Sequence, residues 1–169
     1  GAVRCAIKGI SCIDLDIAAN VESESLKKTL RKNNIKFFDI SKGHGTISIK
    51  NIKFNIEVTS FRIDEATYGR AAKVKFTNDI FIDSCRRDFT INAIYSDFNG
   101  NLYDPHEGLN DLNNKIIKFI GDPTKRIIED HLRIIRYFRF IAQYSNSLNL
   151  LEKNSLEACI KNKVLIKSI

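Results

Sequence analysis

The sequence predicts an α+β fold, a mixed sheet with flanking helices, that runs on into an all-helical region. Three observations carry that expectation. Residues 36–60 alternate apolar and polar side chains in short runs broken by turn residues, the signature of half-buried strands. Earlier, the apolar run Ile13-Asp14-Leu15-Asp16-Ile17-Ala18 places two acids at alternate positions of a strand. Beyond Pro123 the period changes, and Ile127, Ile128, Leu132, Ile135, Phe138 and Ile141 recur with helical spacing. The chain has 169 residues, 43% of them hydrophobic, which suffices for one generous domain or for one domain and part of a second.

The elements follow in order. Residues 1–9 read as a turn entering a short helix over 2–7, and residues 12–18 as the acidic strand. Glu22, Ser23, Glu24 and Ser25 supply polar and acidic groups ahead of a helix over 26–33, whose later residues Lys27, Lys28, Arg31 and Lys32 suit the helix dipole. Strands are expected over 36–40, 45–50 and 54–60, with a hairpin turn at Lys42-Gly43-His44-Gly45. Residues 64–72 are polar with one glycine and read as a loop. Residues 78–93 read as a helix, and strands return at 94–97 and 101–103 around Phe98-Asn99-Gly100. Helices fill the rest. The expected organisation is therefore a mixed head over residues 1–120 and the beginning of a helical domain over 121–169.

Composition excludes some classes. No stretch approaches the roughly 20 apolar residues of a membrane span, so no membrane partner is expected. The chain opens at Gly1 without Met and ends in an apolar run, which reads as a piece of a longer protein. Cys5, Cys12, Cys85 and Cys159 show no C-x-x-C spacing, so neither a zinc site nor a disulfide framework is expected. Structural thiols in a reducing compartment, the cytoplasm, fit better. A net charge of +7, from 27 Lys and Arg against 20 Asp and Glu, favours polyanionic partners, although an Ile-, Lys- and Asn-rich composition produces the same bias.

The acids carry the chemistry. Asp14 and Asp16, at i and i+2, share one strand face and repel each other unless a cation sits between them. Magnesium prefers such oxygen ligands together with substrate phosphates. Glu57, between Ile56 and Val58, faces away from its apolar neighbours and is expected as a third carboxylate: a metal ligand, or a base for an attacking hydroxyl. Three carboxylates around two Mg²⁺ ions clamp both oxygens of an in-line phosphoryl displacement. Solvated surface acids are the plain alternative. Gly1 and Arg4, just upstream, suit a triphosphate cradle because a glycine lets backbone approach phosphate. In Arg86-Arg87-Asp88-Phe89-Thr90-Ile91-Asn92-Ala93, Arg87 can fork onto phosphate oxygens and Asp88 can accept from a ribose hydroxyl. A structural Arg–Asp pair is the alternative there.

These segments, in this order, resemble the class II (bacterial-type) tRNA nucleotidyltransferases, the CCA-adding enzymes and their relatives the bacterial poly(A) polymerases. The resemblance rests on Gly1-Ala2-Val3-Arg4, Asp14-x-Asp16, Ile56–Arg62, Arg86–Ala93, Tyr103–Leu112 and Glu129-Asp130-x-x-Arg133, and it covers nearly the whole chain. It implies a nucleotidyltransferase palm, or head, followed by the start of a helical neck, with body and tail domains that grip tRNA absent from this chain. It further implies Mg²⁺ on Asp14 and Asp16, with Glu57 as the neighbouring acid. Nucleotide contacts are implied for Gly1, Arg4, Arg87, Asp88, Asp130, Arg133, Arg136 and Arg139. The partners implied are CTP, ATP and the 3′ end of tRNA, which gains C, C and A as pyrophosphate leaves.

Asp130 and Arg133 also read independently of the resemblance. Three apart on one helix, they share a face, where one accepts and the other donates. Cytosine and adenine both present an exocyclic amino donor beside a ring-nitrogen acceptor, whereas uracil and guanine present a carbonyl beside an N–H. One Asp/Arg pair therefore takes CTP and ATP and opposes UTP and GTP. An ordinary helix with a Glu129–Arg133 pair is the alternative. The chain departs from the family pattern at Cys5, where Asp usually follows the Arg, at Ala19, where Thr is usual, and in lacking the glycine that precedes Gly1. Two other functions compete: poly(A) polymerase or a one-nucleotide member of the family, and a catalytically silent RNA-binding module. The Lys42-Gly43-His44-Gly45-Thr46 stretch favours the CCA-adding type.

Overall fold

The computed structural model describes residues 1–41, 45–50, 53–68, 71–145 and 151–169. Of the expected turn at 42–45, residues 42–44 lie outside the described residues. Two compact units form, one of Gly1–Ala66 and Ala72–Asp83, the other of Thr67–Ala71 and Ser84–Ile169.

The first unit begins with α1 (Ala2–Ile7), then β1 (Asp14–Ala19), α2 (Ser23–Lys32), β2 (Phe37–Ser41), β3 (Thr46–Lys50) and β4 (Asn55–Ser60). Each lies within two or three residues of its expected place. The four strands make one mixed sheet in the order β1-β4-β3-β2, with β1 parallel to β4 and the other pairs antiparallel. Leu30 of α2, Ile47 of β3 and Val58 of β4 form its buried apolar centre with Phe61. Lys27 fastens α2 to β2 by reaching Asp39 at 2.7 Å while holding Glu24 within its own helix. Those two carboxylates push the Lys27 pKa up, Asp39 first.

Residues 64–72, expected as a loop, instead carry parts of β5 (Arg62–Tyr68) and β6 (Ala71–Phe76), which pair as a two-stranded sheet. The period-2 alternation of Lys73-Val74-Lys75-Phe76 is the strand signal, and the polarity of the segment masks it. The long helix expected over 78–93 is only α3 (Ile80–Cys85).

In the second unit, residues 88–90 are recruited into an extended ladder. Thr90 N donates to Lys118 O at 3.0 Å, Ile120 N donates to Asp88 O at 3.0 Å, and Phe89 bridges Phe119. A single 3₁₀ turn, Thr90–Asn92, follows. Cross-strand pairing has overridden the local helical pattern. The hairpin of β7 (Tyr95–Ser96) and β8 (Leu102–Tyr103) forms where expected, its turn organised by Asp97, which accepts from Asn99 N and Asn101 N. Then come α4 (Gly108–Asn113), α5 (Pro123–Glu129), α6 (Leu132–Tyr144) and α7 (Lys153–Lys161). Phe89, wholly buried, packs on Phe119 at 4.7 Å between ring centres and edge-on to Phe140 at 5.4 Å. Tyr137 stacks on Phe119, and burial drives its phenol far above the ordinary tyrosine range. This aromatic cluster joins the 88–90 segment to α6.

Asp104 sets α4 by accepting Gly108 N and Leu109 N, both at 2.8 Å. Gly108 is then so close to the 3₁₀ turn that a Cβ there would stand 2.2 Å from the carbonyl oxygen of Thr90. Backbone cannot yield that space without moving the 88–92 segment. Gly108→Ala is expected to cost about 3 kcal/mol by overpacking, read as a lowered urea midpoint at unchanged slope.

Candidate active site

The first unit gathers the acids. β1 runs parallel to β4 with Asp14 opposite Asn55 and Asp16 opposite Glu57. Along β1, exposed Asp14 and Asp16 alternate with half-buried Leu15 and Ile17. Along β4, exposed Asn55 and Glu57 alternate with half-buried Ile56 and buried Val58. All three carboxylates therefore stand on one solvent-facing side of the sheet, as the alternation requires. Asn55 Nδ2 donates to Asp14 Oδ1 at 2.8 Å and orients that carboxylate. Gly1 is the N-cap of α1, and a Cβ on it would lie 3.1 Å from Asp16 Oδ2. The absence of a side chain at Gly1 is thus what lets the start of α1 close on Asp16. Arg4 is buried one turn later.

Asp14 and Asp16 are hard oxygen donors on an exposed face, which suits Mg²⁺. Among the described residues, however, no three His, Cys, Asp or Glu side chains converge tightly enough to hold an ion by themselves. Glu57 neighbours Asp16 in register without closing a three-carboxylate cage.

The second unit holds the arginines. Arg87 passes over the Tyr95 ring, its guanidinium carbon 6.0 Å from the centroid. Asp88 is buried, and its own chain fills both oxygens: Phe89 N and Asn92 Nδ2 donate to Oδ1, and Arg136 donates to Oδ2 through Nε at 2.6 Å. Arg139 is exposed and lies over the Phe140 ring at 4.9 Å. Ser84, fully buried, meets His106 Nε2 at 2.7 Å, and burial of the imidazole lowers its pKa.

The helix expected to run from Asp130 through Arg139 is interrupted. Asp130 is extended, with φ −152° and ψ 105°, and separates α5 from α6. Its Oδ1 accepts Leu132 N at 3.0 Å, capping α6 in the manner that favours Asp ahead of a helix. The shared-face argument for Asp130 and Arg133 therefore fails, because only Arg133 is helical. The Glu129–Arg133 pair does form, at 2.8 Å, with Arg133 Nη1 also donating to Arg126 O.

Arg126 is a residue that the sequence reading passed over. Its Nη2 donates to Arg87 O at 2.7 Å and to Arg86 O, while Nη1 pairs with Glu129. One guanidinium thereby fixes the backbone of the arginine pair and the acid that holds Arg133. Its spacing of three from Glu129 and seven from Arg133 was the available signal. Arg126→Ala strands the Arg86 and Arg87 carbonyls, leaves Glu129 to Arg133 alone, and is expected to cost about 3 kcal/mol of stability, measured by chemical denaturation. Arg126→Lys, without the planar fork, should recover only part of it.

Among the described residues no helix is long and apolar enough to cross a membrane. The profile of the poly A polymerase head domain family matches residues 1–118. CCA tRNA nucleotidyltransferase 1, mitochondrial, of Mus musculus is 40% identical over 164 residues, covering 96% of this chain and 38% of that protein. The CCA-adding enzyme of Streptococcus gordonii is 38% identical over 172 residues, covering all of this chain and 41% of that one. The crystal structure of the Bacillus stearothermophilus CCA-adding enzyme in complex with CTP superposes with a TM-score of 0.83 at 32% identity, over 100% of this chain and 39% of that chain. The chain thus spans about two-fifths of the length of these relatives. With the ordered motifs, the sheet and the acidic strand in agreement, the chain belongs to the poly A polymerase head domain family, that of the class II tRNA nucleotidyltransferases.

Proposed function

We propose that this chain is the catalytic head, residues 1–120, and the first neck helices, residues 121–169, of an enzyme that adds C, C and A to tRNA 3′ ends from CTP and ATP. The observation that carries the reading is the pair Asp14 and Asp16 on the open face of β1, with Gly1 closing on Asp16. The names of the mouse and streptococcal relatives support it. Body and tail domains that grip tRNA would lie outside this chain.

Bound Mg²⁺ would lower the charge on the triphosphate and make the 3′ hydroxyl a better nucleophile. Asp14 and Asp16 would hold it, with substrate oxygens and water completing its shell, because no third ligand converges there among the described residues. Glu57, beside Asp16, would hold the attacking hydroxyl or take its proton. The 3′ oxygen attacks the α-phosphorus, and the bond to the β-phosphate breaks to release pyrophosphate. Gly1 and Arg4 would cradle phosphates, and Arg87 would fork onto phosphate oxygens. Asp88, saturated by Arg136, Asn92 and Phe89 N, would act by setting the Arg87 segment and would contact a ribose only if Arg136 yields.

Base choice would rest on Asp130, accepting from the exocyclic amino group, and on Arg133, donating to the ring acceptor, with Arg136 and Arg139 beside them on α6. Glu129 and the Arg126 carbonyl hold the Arg133 guanidinium before any nucleotide arrives. A base with the opposite donor–acceptor order would face charged groups it cannot satisfy, at about 1–3 kcal/mol per mismatch.

The test is incorporation of each nucleoside triphosphate by the full-length protein on tRNA lacking its terminus. Addition that stops after C-C-A, lost on chelation of Mg²⁺ or in Asp16→Asn, is the expected result. An unbounded A tract would assign the chain to poly(A) synthesis instead, and a lack of metal-dependent CTP binding would leave only an RNA-binding module. Separately, Arg133→Ala should raise UTP use relative to CTP about tenfold or more. An equal fall for all four nucleotides would remove Arg133 from base reading.

A further inference from the structure

Resting on the nucleotidyl transfer reading, we propose that Phe38 is the stacking platform for the base of the RNA nucleotide whose 3′ hydroxyl attacks. Register across the sheet places it there. Phe38 of β2 pairs with Ser48 of β3, Ser48 with Glu57 of β4, and Glu57 with Asp16 of β1. Directly paired residues point to the same side of a sheet, so these four form one row across the open face. Neighbouring residues fix the facing. Phe37 turns to the other side, where the Arg31 guanidinium of α2 lies 5.6 Å from its ring centre and Asp39 meets Lys27. Ile47, next to Ser48, is wholly buried on that side. Phe38 is left 62% exposed, on the strand that ends the sheet.

A single exposed phenyl ring needs no explanation by itself. What singles out Phe38 is the row it shares with the acids. At the usual strand spacing its Cα stands about 10 Å from that of Glu57 and about 14 Å from that of Asp16. An RNA end whose hydroxyl meets Glu57 lays its ribose over Ser48, whose short side chain keeps the floor low, and its base against Phe38. Lys50, exposed and two residues beyond Ser48 on the same face, offers a cation to the phosphodiester beside that nucleotide. A phenyl ring takes any base, because every base has a π face. That tolerance suits an acceptor whose last nucleotide is replaced at each round of addition.

The test uses the full-length protein and tRNA lacking its terminus, with 5-iodocytidine as the last nucleotide. Irradiation joins the iodinated base to an aromatic ring stacked on it, and digestion with mass spectrometry locates that ring. The expected product is a cross-link on Phe38, lost in Phe38→Leu, which keeps apolar bulk without a π face. With unmodified tRNA, Phe38→Leu should raise the KM for tRNA about tenfold while the KM for CTP moves less than about twofold, and Phe38→Tyr should restore it. A folding defect would move both constants. Cross-links only at other residues, or a KM for tRNA unmoved by Phe38→Leu, would overturn the proposal. Cross-linking needs no turnover, so the two readings fail separately. A Phe38 cross-link without CTP incorporation would remove the transferase reading and keep the platform, whereas incorporation with cross-links elsewhere would remove the platform alone.

Discussion

The parallel register of β1 on β4 is the constraint on which the acidic face depends. It sets Asp16 beside Glu57 and Asp14 beside Asn55, so three carboxylates share one surface, with the Asn55 amide donating to Asp14. In water, unit charges about 4 Å apart repel by only about 1 kcal/mol, which the fold tolerates while the face stays exposed. In the proposed role, a triphosphate covering that face would displace water and raise the same repulsion several-fold, and a bound cation would relieve it. Shifting β1 by one residue would turn both aspartates into the sheet's apolar side, so the alternation of Leu15 and Ile17 protects the chemistry as well as the core.

The second unit solves a different problem, the positioning of cations on short, irregular backbone. Arg86, Arg87 and Asp88 lie in no helix, and their carbonyls and carboxylate need partners. Arg126 and Arg136 supply them from α5 and α6. Glu129 takes both Arg126 and Arg133, which balances charge locally and leaves neither guanidinium wandering. Breaking one link uncovers a half-buried charge, which is why the network is expected to respond more strongly to truncation than surface pairs do. The aromatic stack of Phe89, Phe119 and Tyr137 locks the same segment from the apolar side.

Much of this was legible in the sequence because period and spacing are local properties. The strand carrying Asp14 and Asp16, the helix after Gly1, the three strands that follow and the turn at Asn99-Gly100 all came from residues within a few positions of one another. The failures share a cause. Residues 86–93 look helical by composition, yet their backbone pairs with residues 118–120, some thirty positions away in the chain. Residues 64–72 look like a loop because their strands are polar. Asp130 sits inside an apolar helical period that predicts continuity, and only its capping bond to Leu132 N shows why the helix restarts there. For Arg126 the sequence offered only the spacing of three from Glu129, while its contacts with the Arg86 and Arg87 carbonyls lie some forty positions away and leave no side-chain pattern.

The break at Asp130 changes the argument for base reading and strengthens one part of it. On a continuous helix, Asp130 and Arg133 would have been two long-lever side chains on a common face, free to choose rotamers. Here one carboxylate oxygen of Asp130 is fixed on Leu132 N, and Arg133 N donates to the Asp130 carbonyl at 3.1 Å, so the two residues are tied through backbone as well. The other carboxylate oxygen carries no hydrogen bond among the described residues. One anchored and one open oxygen is the configuration an acceptor needs if it is to meet an amino group without losing orientation entropy at that moment. In the proposed base-reading role, the helix cap at Asp130 and the Glu129–Arg133 salt bridge would supply the rigidity that stacking supplies on a template.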